Sequence, residues 1–126
     1  MKILSADGDG VGDGEGDGEG DGDRLLAVLA ALANPHRLRI IAALATGGRN
    51  YVSQLAREIG ISRPLLHLHL QKLADAGLVS SQLELSADGK ALNYFDVNRF
   101  DVPLTPAAIA EAAKSLTTPL TTPVEK

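Results

Sequence analysis

The sequence predicts a mainly α-helical α+β fold of about five helices and one two-stranded β-hairpin. Three observations carry that expectation. Residues 53–77 hold two apolar-striped stretches, SQLAREIG and SRPLLHLHLQKLADAG, each opened by Ser and closed by Gly. Further helical patterns lie on both sides of them. Between these patterns, LVSSQLELS and ALNYFDVN flank Ala87-Asp88-Gly89-Lys90 and read as two strands and their turn.

Composition sets the limits. The chain has 126 residues, 44% of them hydrophobic, which suffices for one small domain with tails. No apolar run approaches the ~18 residues of a membrane-spanning helix. Cys is absent, which excludes disulfides and thiolate metal sites. The start MKILSADGDG lacks a basic, apolar, cleavable leader, so a cytoplasmic protein is expected. Aromatics are only 3%, fewer than base-stacking single-strand binders usually carry.

The net charge of −4 conceals two opposite regions. Residues 1–23 hold eight acids and one base, a net −7, and the remaining residues carry +3. Residues 24–99 hold nine Lys/Arg against five Asp/Glu. A mildly basic body behind an acidic segment suits a nucleic-acid partner.

From Gly8 to Gly22 every even position is Gly, and every residue between except Val11 is acidic. Glycine loses the most backbone entropy on ordering, and the carboxylates repel one another. Residues 1–23 are therefore expected to form a disordered, solvated tail. DGDG resembles the start of a calcium loop, but the flanking helices and the closing Glu of such a loop are missing. A second alternative is that the acids cover a basic DNA face as a phosphate mimic.

The domain itself is expected over residues 24–116, with a flexible tail at 117–126. Asp23 is placed to cap a first helix, in which Leu25, Leu26, Val28, Leu29, Ala30 and Leu32 are apolar nearly all round. A short helix of that kind is buried on more than one side, which points to a subunit partner. Asn34-Pro35 then caps a second helix, with Leu38, Ile41, Ala42 and Ala45 as its buried stripe, Ile40 and Leu44 beside it, and Arg37 and Arg39 projecting elsewhere. Gly47-Gly48 ends it. Tyr51-Val52 suits a very short strand.

In the central pair, Ser53 and Ser62 are placed as caps and Gly60 and Gly77 as terminators. Leu55, Ala56 and Ile59 line one face of the first helix; Leu66, Leu70 and Leu73 line one face of the second. The opposite face of the second offers Arg63, His67, Gln71 and Lys72, which can bond base edges or phosphates. Two such helices joined through Gly60-Ile61 are the pattern of a DNA-reading helix-turn-helix. The hairpin that follows would be its wing, with Val79, Leu83, Leu85, Leu92, Tyr94 and Val97 inward or half-buried and Lys90 at the tip for a phosphate or the minor groove. Thr105-Pro106 caps a closing helix with Ile109, Ala112, Ala113 and Leu116 near one face.

LANPHRLRIIAAL and VSQLAREIGISRPLLHLHLQKLADAGLV, with the hairpin behind them, resemble the ArsR/SmtB family of winged helix-turn-helix repressors over residues 25–100. The resemblance implies a homodimer on an imperfectly two-fold-symmetric DNA operator, with helix 63–76 in the major groove. It turns Ser62, Arg63, Leu65, His67 and Leu68 toward DNA and makes His69 structural. Leu65 and Leu68 stand where relatives more often have polar residues; contact with a thymine methyl and packing against neighbouring helices both remain open. It also implies a dimer interface built from Leu25, Leu26, Leu29 and Leu32 and from Ile109, Ala112, Ala113 and Leu116.

The family's metal-sensing ligands are missing. VSQLAREIG has no thiolate, and PAAIAEAAKS has no His with acidic partners. His67 and His69, two apart, diverge on a helix and make a poor chelating pair. No metal and no cofactor is expected. The effector, small molecule or protein, is unidentified. With no nucleophile–base arrangement and no phosphate loop, an enzyme is not expected. The competing reading is a winged protein-interaction module that does not bind DNA.

Overall fold

The computed structural model of the chain describes residues 20–117. The expected tails therefore fall outside the described residues, except for positions 20–23 and 117. The elements run α1 (Asp21–Leu32), α2 (Pro35–Gly47), β1 (Asn50–Tyr51), α3 (Val52–Ile59), α4 (Arg63–Asp75), β2 (Val79–Leu85), β3 (Ala91–Val97) and α5 (Pro106–Ala113). The strands form one antiparallel sheet in the order β1-β3-β2. The expected two-stranded hairpin thus gains a third strand, because Asn50 and Tyr51 pair with Phe95 and Tyr94.

Among the described residues the chain divides into two compact units, Val28–Arg99 and a terminal unit of residues 20–27 and 100–117. In Val28–Arg99, the buried side chains Val28, Ile40, Leu44, Leu55, Leu66, Leu70, Leu73 and Leu78 form the core. Each contributes about 1.5–3 kcal/mol relative to exposure.

Local signals placed most helix ends. Asn34 Oδ1 accepts from the backbone N–H of His36 at 2.8 Å and of Arg37 at 3.3 Å, with Pro35 opening α2. Ser62 Oγ accepts from the N–H of Leu65 at 3.3 Å and starts α4. Gly60, at φ 84°, ends α3 in the left-handed region, where a side chain would be strained. That residue lets α4 leave α3 after a single short turn.

Three expectations fail within this unit. Ser53 does not cap α3, which begins at Val52 behind an extended Tyr51 with no side-chain cap. The pairing of Tyr51 with Tyr94 carries the chain straight from strand into helix and sets that start.

In α2 the buried residues are Ile40 and Leu44, whereas Leu38 is 53% exposed and Ala42 and Ala45 face solvent. Both sides of α2 are apolar, so periodicity cannot choose between them; packing against α3, α4 and β3 does. Arg37, three residues before Ile40, is thereby carried to the inner side rather than outward.

In the hairpin, Val79 and Phe95 are buried, but Leu83 is 70% exposed and Leu85 76%. Strands of seven residues reach about 23 Å, and their outer halves extend beyond the core that covers their base.

In the terminal unit, Thr105 Oγ1 caps α5 by accepting from the N–H of Ala108 at 3.0 Å. Helix α5 ends at Ala113, earlier than the expected 116. Helix α1 begins at Asp21, inside the stretch assigned to the tail. Gly22 accounts for this: its N–H donates to Ser115 Oγ at 2.9 Å, and a Cβ there would lie 2.3 Å from the Ala112 carbonyl oxygen. Asp23 is not the cap of α1 but lies in its first turn. Its carboxylate accepts from the Thr117 N–H at 3.0 Å and the Thr117 hydroxyl at 2.6 Å, and these bonds lower its pKa.

Candidate nucleic-acid interface

Helix α4 presents two chemically distinct sides. Leu66, His69, Leu70 and Leu73 are buried, and they position the rest. Ser62, Arg63, His67, Gln71 and Lys72 stand exposed, with Leu65 37% and Leu68 54% exposed. Neither leucine is packed into the core of the chain. Arg63, His67 and Gln71 follow at successive four-residue steps and so form one ridge. The Ser62 hydroxyl is occupied as the cap, and the Gln71 amide donates to Asp75 Oδ1 at 2.8 Å.

The seating of α4 contains a polar contact. Arg37 Nη1 lies 3.0 Å from His69 Nδ1, and Arg37 Nε donates to the Ala31 carbonyl at 2.6 Å. Guanidinium only donates, so His69 must accept at Nδ1 and carry its proton at Nε2. Burial lowers the His69 pKa, and the charges of Arg37, His36 and Lys72 lower it further. The His36 ring tilts against His69 at 5.4 Å between centroids, with its buried Nδ1 unpartnered.

Sequence reasoning missed Arg37 as the partner of His69. The available signal was its spacing from Ile40 and Leu44, once these are taken as the inner stripe.

The wing stands apart from α4 in sequence and carries Lys90 in the loop between β2 and β3. Gly89 N–H donates to the Ser86 carbonyl at 2.9 Å, and Lys90 N–H to Ser86 Oγ at 3.1 Å, which closes the loop. Ser86 also donates to the Asp88 carboxylate, whose pKa is lowered by that bond. Lys90 is exposed. Glu84, on the neighbouring strand β2, is engaged by Arg49 through both carboxylate oxygens, at 2.5 and 2.9 Å. No motif in the sequence around Arg49 points to this pairing.

The residues expected to form a dimer interface are placed unevenly. Leu26, Leu29, Ile109 and Leu116 are exposed large apolar side chains, Ala113 is exposed and Leu32 half-buried. Leu25 and Ala112 are already buried within the single chain. Among the described residues, no group of three or more His, Asp or Glu side chains is placed to hold a metal ion. No single described helix is long and apolar enough to cross a membrane.

A helix-turn-helix followed by a paired hairpin, with a polar ridge on its second helix, defines the winged helix-turn-helix class of transcriptional regulators. The helix-turn-helix domain family matches residues 32–82. A possible transcriptional regulatory protein of Mycobacterium bovis (fragment 1–100) is 32% identical, with a TM-score of 0.52, over 60% of this chain and 74% of that one. A solution structure described as a homodimeric winged helix-turn-helix DNA-binding domain of M. bovis, a possible ArsR-family regulator, is 31% identical, with a TM-score of 0.53, over 60% of this chain and 64% of that one. An uncharacterized HTH-type transcriptional regulator of Methanocaldococcus jannaschii is 46% identical over 55 residues, 44% of this chain. That alignment spans 57% of the length of the curated relative. The chain belongs to the ArsR-like winged helix-turn-helix regulators.

Proposed function

We propose that the chain is a sequence-specific double-stranded DNA-binding repressor that acts as a cytoplasmic homodimer on a pseudo-palindromic operator, without enzymatic chemistry. The observation that carries this reading is the exposed side of α4, on which Arg63, His67 and Lys72 stand free of the core beside Leu65 and Leu68. Arg63 suits guanine O6 and N7 or a phosphate; Leu65 and Leu68 suit thymine methyls. Lys90 suits a backbone or minor-groove contact from the wing. Phosphate neutralisation would release counterions and give salt-sensitive binding.

The exposed apolar side chains of α1 and of α5 support a subunit interface, as does the homodimeric state named for the M. bovis domain. Two recognition helices related by a two-fold axis would then set the spacing of two half-sites.

The test is retention of sheared genomic DNA by the purified protein, followed by sequencing and a gel shift on the retained fragments. The reading expects enrichment of a few sites with inverted-repeat character and binding that weakens steeply with salt. Uniform retention, or none, would contradict it.

A further inference from the structure

The register of the sheet places Tyr51, Tyr94 and Gln82 on one face, and Glu84 lies on that same face two residues along β2. Arg49 immediately precedes β1 and crosses this face. Its Nη1 meets Glu84 Oε2 at 2.5 Å and its Nη2 meets Oε1 at 2.9 Å. Its guanidinium carbon sits 4.5 Å from the Tyr94 ring centroid, and Tyr94 meets Tyr51 edge-on at 5.8 Å. A two-pronged carboxylate pair fixes the guanidinium in its plane, and the ring beneath fixes the plane itself.

β2 is an edge strand whose sheet partner is β3 alone, and the other face of its outer half, at Leu83 and Leu85, is open to solvent. Arg49 ties that outer half to β1. Because α3 begins at Val52, directly after β1, the tie starts three residues ahead of the first helix of the reading unit. The paired side chains are 44% and 35% exposed, so the bridge contributes little to global stability.

We propose that Arg49 is a positioning residue for the wing: through Glu84 and Tyr94 it holds the β2–β3 hairpin, and Lys90 with it, at a fixed inclination to α4. This rests on the DNA-binding reading above. Arg49 spends its charge on Glu84 and acts on DNA only through the placement of Lys90.

The test is fluorescence anisotropy with a short duplex cut from the genomic fragment that the wild-type protein retains, measured from about 50 to 200 mM salt. R49A, R49K, E84Q and K90A should each lose about three- to tenfold in affinity and lower the salt slope by about one phosphate contact. R49A combined with K90A should lose no more than K90A alone, and the thermal midpoint of E84Q should stay at the wild-type value. R49K is informative because Lys keeps the charge but loses the fork and the stack. Equal or tighter binding by E84Q, wild-type affinity in R49K, multiplied losses in the double variant, or a large drop in the E84Q midpoint would overturn the inference. If the wild type binds duplex and the Arg49 and Glu84 variants bind equally well, the wing inference alone fails. If the wild type binds no duplex, the DNA-binding reading fails and the inference falls with it.

Discussion

The Arg37 guanidinium lies 3.0 Å from Nδ1 of the buried His69 and so joins the first turn of α2 to the inner side of α4. The ring must be neutral to accept that bond, which makes the seating of the recognition helix sensitive to acid.

The sign follows from linkage. Burial and the nearby cations lower the folded-state pKa of His69 below its ordinary 6.5, so the unfolded chain takes up the proton more readily. The contribution of His69 is present above pH 6.5 and is lost as the pH falls below it. Urea midpoints measured from pH 7.5 down to 5.5 should fall through that window, and H69Q should flatten the fall. An unchanged slope in H69Q would assign the dependence to other groups.

The two sides of α4 differ in what truncation does to stability. L70A should cost about 2–5 kcal/mol, because Leu70 is fully enclosed. L68A should stay within about 0.5 kcal/mol, because Leu68 is exposed. Urea denaturation of the two variants checks the orientation of the helix; equal losses would contradict it.

Ser62 holds the first turn of α4 through the Leu65 N–H. S62A should cost about 1 kcal/mol in urea denaturation, and S62D should retain the cap. A neutral S62A would show that Pro64 and the packed leucines set this helix start without the hydroxyl.

Two glycines predict opposite outcomes. G22A places a methyl 2.3 Å from the Ala112 carbonyl oxygen and should destabilise by about 1–3 kcal/mol. G47A meets nothing within 4 Å at the end of α2 and should be neutral or stabilise by up to about 1 kcal/mol. Thermal melts of both proteins distinguish the close approach at Gly22 from a general intolerance of substitution.

The helix-turn-helix was legible because its signals are local. Gly60 and the Ser62 cap bracket the turn, and Leu66, Leu70 and Leu73 fix the inner side of α4. What escaped depended on contacts distant in sequence. The inner side of α2 is chosen by its neighbours, because leucine, isoleucine and alanine occur all round it. Leu83 and Leu85 alternate as core residues do, but the core ends before it reaches them. Gly22 continued a low-complexity pattern, and only the approach of Ala112 and Ser115 shows why a glycine is needed there. Arg49 and Glu84 lie 35 residues apart, and nothing in either local stretch marks the pair.

The proposed function stands or falls with contact between DNA and the exposed side of α4, where Arg63, His67 and Lys72 lie. The most direct measurement is the affinity of wild type and of the R63A/K72A double variant for a retained genomic duplex, with circular dichroism confirming that both are folded. The wild type should bind tightly and salt-sensitively, and the variant should lose about a hundredfold, to the level of random duplex. Equal binding by the two folded proteins would contradict it.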